Sequence, residues 1–263
     1  MDFGLTNKIA LVCGSSKGLG KATAKSLAQE GAAVILCSSN PANLLKAKQD
    51  IQAVDINEVK TIPANLSQPD DVDKLIEILF EHCGHLDILV NNTGGPRPGK
   101  FDELNVGDWR EAFEAMLISA VRLTKSVLPG MKSQRWGRIL NITSIAVKQP
   151  VENLILSNSI RAGITGFART LANEVAPFGI TVNNILPGFT RTERLVNLAE
   201  DTARRNGISM DEAYQTWTKD IPMNRLGEPE EFGNVVTFLA SEKASYVTGM
   251  SITVDGGWVR SLI

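Results

Sequence analysis

Tyrosine and histidine are nearly missing, with two of each among 263 residues. The histidines, His82 and His85, flank Cys83 at what reads as a helix end. No fourth ligand accompanies them, so no metal site is expected. Cysteine is also scarce. Three cannot all pair, and Cys13 and Cys37 end two predicted core strands, which fits free thiols in a reducing cytoplasm. The net charge of -2 gives no basic footprint for nucleic acid or an anionic membrane. No apolar run approaches the ~18 residues that would span a bilayer. The start, Met1-Asp2-Phe3-Gly4, lacks the charged and apolar regions of a secretory signal.

What is present is an ordinary globular composition, 43% hydrophobic and 21% charged, without repeat, linker or low-complexity stretch. A single domain over 1–263 is expected. Its organising stretch is Lys8 to Gly20. Ile9 to Cys13 is a short apolar run, as in a strand buried on both faces of a parallel sheet. Gly14, Gly18 and Gly20 follow, and a helix is read from Lys21. A strand, a glycine turn and a helix N-terminus together make a phosphate site, where bare backbone and free N–H groups meet a pyrophosphate.

The rest of the chain alternates in the same way. Strands are predicted at Ala32–Cys37, Val59–Pro63, Leu86–Val90, Arg138–Ile142, Ile180–Leu186 and Ser251–Val254. Helices are predicted after Gly20, after Pro41, after a Ser67 cap, at Trp109–Met131, at Leu156–Ala176 and near Pro229. Right-handed βαβ crossovers then give an α/β, three-layer Rossmann-type fold, with a seven-stranded parallel sheet and helices on both faces. Order reversal is expected at the fourth strand, so the glycines after Asn91-Asn92-Thr93 should cover a ligand. Residues 193 to 220 are polar, helical and charged, and suit a substrate lid. The second strand ends in Cys37-Ser38-Ser39-Asn40, without the carboxylate that would bond an NAD ribose. With Lys17 in the glycine turn, this favours NADP over NAD.

With those pieces in place, the chain resembles a short-chain dehydrogenase/reductase over essentially its whole length. The resemblance rests on Val12-Cys13-Gly14 through Gly20, Asn91-Asn92-Thr93-Gly94, Gly137-Arg138-Ile139 leading to Ser144, Pro187-Gly188 and Ala244 to Gly257. Ile221 to Glu231 is similar to the branch that holds the 3-oxoacyl-carrier-protein reductases. The resemblance implies NAD(P) binding and a homotetramer or homodimer built on the two long helices. It assigns Gly14, Ser16, Lys17, Gly18, Leu19 and Gly20 to the pyrophosphate, and Ser38 and Ser39 to the adenosine ribose. Asn65 and Leu66 would flank the adenine. Asn92, Gly94, Pro187, Gly188 and Thr190 would lie on the nicotinamide side.

The family's catalytic pattern is kept only at Ser144. Thirteen residues on, where the family has tyrosine, stands Ser157; the lysine position is Arg161, and the helical asparagine is Met116. Serine has no low pKa to tune, and arginine stays charged and relays no proton. Ser144, Arg161 and Lys148 are the candidate catalytic residues, with Arg161 also free to serve the nicotinamide ribose. Arg97 is a candidate clamp for a substrate carboxylate or phosphate, and Tyr214 lies in the lid segment. Two readings follow. One is an NADP-dependent oxidoreductase passing a hydride to a carbonyl or a conjugated enone. The other is a dinucleotide-binding sensor or partner protein without turnover.

Overall fold

The computed structural model describes residues 2–53 and 58–262. Its centre is one sheet of seven parallel strands. In chain order these are β1 (Ile9–Cys13), β2 (Ala33–Ser38), β3 (Val59–Pro63), β4 (Ile88–Asn91), β5 (Gly137–Ile142), β6 (Ile180–Pro187) and β7 (Ser251–Val254). They lie side by side as β3-β2-β1-β4-β5-β6-β7. The order therefore reverses between β1 and β4, and the expected Rossmann-type sheet is the observed one.

Alternate residues of each buried strand feed two separate cores. Ala10, Val12, Val34 and Leu36 pack beneath helices α1 (Gly18–Gln29), α2 (Pro41–Gln52) and α9 (Pro229–Ala240). Leu11, Cys13, Ile35 and Cys37 face α3 (Pro69–Cys83), α5 (Ser119–Gln134) and α6 (Ile155–Val175). That period of two is why the strands read as unbroken apolar runs. Helices α4 (Val106–Phe113), α7 (Glu193–Asn206) and α8 (Met210–Thr218) complete the set.

Several boundaries differ from the sequence reading. The first helix begins at Gly18, because Lys17 holds the extended N-cap position and both later glycines fall in the first turn. Ser67 does not cap α3: Gln68 takes the N-cap, and the Ser67 hydroxyl donates to Asn65 Oδ1 at 2.9 Å. The helix read over Trp109–Met131 runs from Val106 to Gln134 and is broken into α4 and α5 by a π turn at Glu114–Ile118. Such single π turns gather at functional sites, and this one centres on buried Met116.

A polar feature crosses the sheet near its carboxyl edge. Asn91, Asn141, Asn184 and Ser251 are register partners on β4, β5, β6 and β7. Asn91 Nδ2 donates to Asn141 Oδ1 at 2.9 Å, Asn141 Nδ2 to Asn184 Oδ1 at 3.1 Å, and Asn184 Nδ2 to Ser251 Oγ at 3.2 Å. Asparagine is a poor strand former, so each position is held by its neighbour's amide.

Cys13 and Cys37 are also register partners, both fully buried. A hydrogen bond with Cys13, and burial, push the Cys37 thiol well up, and burial raises Cys83 as well. Full burial also closes Cys13 and Cys37 to a reagent, whereas Cys83 is only half-buried. A thiol reagent is expected to label only Cys83 in the folded protein and all three cysteines after denaturation, counted by mass spectrometry. Native labelling of Cys13 or Cys37 would contradict the packing.

Candidate active site

The turn after β1 is shaped by three glycines for two reasons. Gly14 (φ 57°) and Gly18 (φ 55°) hold left-handed conformations that side chains disfavour. At Gly20 the constraint is close approach, since a β-carbon there would collide with the Gly14 carbonyl oxygen. Two side chains pin the turn. Ser15 N–H donates to Cys37 O at 3.1 Å and Ser15 Oγ accepts from Cys37 N at 3.0 Å, tying it to β2. Asn92 Nδ2 donates to Cys13 O at 3.1 Å and Gly14 O at 3.3 Å, tying it to β4. Ser15 escaped the sequence reading, which took only the glycines and their exposed neighbours; nothing in the sequence separates Ser15 from Ser16.

Helix α1 starts with no capping side chain and no acid in its first turn. Its first N–H groups and partial positive charge are thus open to an anion. The missing side chains of Gly14 and Gly20 let the turn close tightly behind that N-terminus. These residues fit a dinucleotide pyrophosphate. Ser16 and Leu19 are half-buried on the same turn.

Beyond it, Ser38 ends β2 half-buried and Ser39 is exposed, while Asn40 Oδ1 accepts from Asn43 N at 2.9 Å and caps α2. Lys17 is turned elsewhere: its ammonium pairs with Glu193 of α7 at 2.9 Å. Asn65 is engaged locally, its Oδ1 accepting from Ser67 and its N–H donating to Asp71 Oδ2 at 3.0 Å. Leu66 lines a small cavity with Asn91, Met116, Asn141, Arg161 and Ile164. Its space of about 10 Å³ is the size of one water.

At the end of β5 the chain turns through Thr143 and Ser144. Ser144 Oγ accepts from Ala146 N at 3.1 Å. No acceptor among the described residues takes its proton, so the hydroxyl is free to donate to another oxygen. Arg161 comes across from α6. Its Nη1 donates to Ile142 O at 2.8 Å and Thr143 O at 2.6 Å, and its Nε donates to Ser157 Oγ at 3.1 Å. Ser157 and Arg161 are thus bonded to one another, and Arg161 to the strand that leads to Ser144. Burial pushes Arg161 down to about 10, with the nearby Arg194 charge adding to the effect. Arg161 remains a cation throughout the neutral range.

The other nominated residues are spread around this point. Gly94 has open space where a side chain would be, and the β-carbon of Asp255 presses on Gly188, whose N–H donates to Val254 O at 2.9 Å. Pro187 closes β6, and Thr190 is buried with its hydroxyl 3.4 Å from Gly188 O. Lys148 is exposed, on the loop after Ser144. Arg97 is exposed and paired with Asp108 at 3.4 Å. Tyr214 packs edge-on against Trp217, with the Arg191 guanidinium 5.5 Å from its ring centre, so it belongs to the packing of α8.

A contact that sequence spacing does not reveal brings α7 over both loops. Thr192 lies against Gly18, Glu193 pairs with Lys17, and the Arg194 guanidinium rests on Gly95, where a β-carbon would collide with it.

A family profile described as enoyl-(acyl carrier protein) reductase matches residues 14–259. Among curated proteins, the NADPH-dependent reductase BacG of Bacillus subtilis is 32% identical, over 98% of this chain and all of that one. The 3-oxoacyl-[acyl-carrier-protein] reductase FabG of Aquifex aeolicus is 34% identical, over 98% of this chain and 99% of its own. Among solved structures, L-sorbose reductase from Gluconobacter frateurii, complexed with NADPH and L-sorbose, superposes with a TM-score of 0.96. It is 32% identical, with both chains fully covered.

Proposed function

Because the chain belongs to the short-chain dehydrogenase/reductase family, we propose that it is an NADP-dependent oxidoreductase acting on a small-molecule carbonyl or conjugated enone. The observation that carries this is the pinned glycine turn after β1, opening on the uncapped N-terminus of α1 as a dinucleotide pyrophosphate would require. When bound, the reduced dinucleotide supplies a hydride. The chain's own residues do the rest.

Gly14, Ser16, Gly18, Leu19 and Gly20 hold the pyrophosphate, and Ser38, Ser39, Asn65 and Leu66 hold the adenosine. Asn92, Gly94, Pro187, Gly188 and Thr190 line the nicotinamide side. To serve a 2′-phosphate, Lys17 exchanges Glu193 for it. Ser144 donates to the substrate oxygen as charge builds there, an oxyanion-stabilising role. Arg161 positions that end of β5 and keeps it cationic, and any contact to the ribose comes from its remaining Nη2. Lys148 stands at the mouth, where it can meet the oxygen from solvent. Residues 193–220 act as the lid, and a homotetramer or homodimer built on α4–α5 and α6 completes the proposal.

With serine and arginine in place of tyrosine and lysine, no side chain near Ser144 readily gives up a proton. Conjugate reduction fits such a site well, since its enolate takes a proton from water. The test is to mix the purified protein with NADPH and a panel of ketones and enones, following the reduced nicotinamide by absorbance. Turnover of at least one enone is expected; NADPH binding with no turnover would favour the sensor instead. The cofactor preference is tested by titration. NADPH is expected to bind at least about tenfold tighter than NADH, by the phosphate's charge-assisted hydrogen bonds, and Lys17→Ala to narrow that gap. Equal affinities in the wild type would remove the preference.

A further inference from the structure

Four cations on the segments around the site are ion-paired. Arg97 meets Asp108 at 3.4 Å, Arg191 meets Glu228 at 3.2 Å, Arg225 meets Glu231 at 2.7 Å, and Lys17 meets Glu193 at 2.9 Å. Two arginines depart from this pattern, and they depart together. Arg161 is buried, and all three of its contacts are to neutral oxygens. No carboxylate among the described residues offsets its charge; the one charged group that acts on it is a second cation, Arg194. Arg194 is exposed, lies on Gly95, and makes neither an ion pair nor a hydrogen bond among the described residues.

Placing like charges together around a buried, unbalanced guanidinium is costly, and such arrangements gather where a ligand supplies the missing charge. The direction of the segment says which ligand. Thr192 and Glu193 face the glycine turn, where a pyrophosphate would sit, and Glu193 meets Lys17 there. Arg194 lies instead on Gly95 of the loop after β4, near enough for its charge to act on Arg161. Arg97, which the sequence offered as a clamp, has its charge taken by Asp108.

We infer that Arg194, backed by the buried charge of Arg161, is a substrate-anion site, and that the substrate of this oxidoreductase carries a carboxylate. The planar guanidinium suits a carboxylate because it can donate two parallel hydrogen bonds. Docking there would also hold the Arg194 end of α7 down on Gly95. The inference rests on the oxidoreductase reading above.

Benzoate and benzamide have nearly the same shape and differ in charge, so they serve as the probe pair. They are titrated calorimetrically into protein saturated with NADP+. Benzoate is expected to bind at least about tenfold tighter than benzamide, with affinity falling as salt rises. Arg194→Gln, an exposed change that leaves the core untouched, is expected to abolish that preference and leave NADP+ affinity unchanged. Arg194→Lys should restore part of it. Equal or absent binding of the two probes in the wild type overturns the inference. So does an Arg194→Gln variant that loses NADP+ affinity and keeps the benzoate preference, because the arginine then serves the cofactor's phosphates. If NADP+ itself fails to bind, the oxidoreductase reading falls on that measurement alone, and the probe pair run on the protein without it still decides whether the anion site exists.

Discussion

Replacing Ser144 with alanine is expected to lower kcat at least about a hundredfold while leaving NADPH affinity unchanged, the usual cost of losing one donor to a developing oxyanion. The Ser144 oxygen already accepts from Ala146 N, so its proton is the part left over for chemistry. Neighbouring donors are poorly placed to substitute. Arg161 spends Nη1 on two carbonyls and Nε on Ser157. A full kcat in the variant, measured on any substrate the panel identifies, would remove Ser144 from the mechanism. The pH profile gives a second reading of the same site. A group held down to about 10 by burial loses its proton as pH rises through that value. Activity that needs the Arg161 cation should therefore be flat through the neutral range and fall on the alkaline side. A rise through neutrality would point to a different titrating group.

Asn141→Leu is expected to destabilise the fold by about 2–4 kcal/mol, the cost of leaving the buried Asn184 Oδ1 without a donor and Asn91 Nδ2 with only its 3.5 Å bond to Thr124 Oγ1. The side chain is the middle rung between β4 and β6. Without it, Asn91 Nδ2 loses its 2.9 Å acceptor and Asn184 Oδ1 its 3.1 Å donor, in a region with almost no exposure to water. Leucine keeps asparagine's branched outline without its polar atoms, and its larger volume adds an overpacking cost at this buried position. For a chain of this size the loss amounts to a fall of about 10 °C in Tm, and urea unfolding with an unchanged slope would show that the native state, not the denatured one, was altered. Asn141→Asp makes the complementary test. It can accept from Asn91 but sets two oxygens against each other at Asn184, so it too should be destabilised. A change under about 1 kcal/mol in both would show that the amides contribute little.

The inner strands were legible because they are buried on both faces, and Ile9–Cys13 is bounded as its apolar run suggested. The partly exposed edge strands Val59–Pro63 and Ser251–Val254 also fall where the strand–helix alternation put them, and Pro41 and Pro229 open their helices. Local chemistry decided less well where two residues competed. Ser67 is a better cap than Gln68 in isolation, but Asn65 captured its hydroxyl first. Met116 gave no hint of the π turn, since it is apolar in a helix that is apolar anyway.

At the site, the glycines of the first turn were plain. The spacing of four between Ser157 and Arg161 already placed them on one helix face, and their bond follows from it. What spacing leaves hidden is anything that crosses the molecule. The Arg161 contacts to Ile142 and Thr143 come from another strand, Lys17 meets Glu193 from 176 positions away, and Arg194 reaches Gly95 only because α7 folds back over β4.

The amide row across the sheet bears on the charge of that site as well as on strand register. Each link in it donates toward β7, so the three amide dipoles add head to tail, and the oxygen left over, Asn91 Oδ1, accepts from no protein group. Asn91 and Arg161 line the same small cavity. The guanidinium therefore shares that cavity with the negative pole of three aligned amides rather than with a carboxylate. Such a counterion never takes up a proton, so it steadies the cation equally in acid and in base. Being only a fraction of a charge, it leaves most of the positive field unspent.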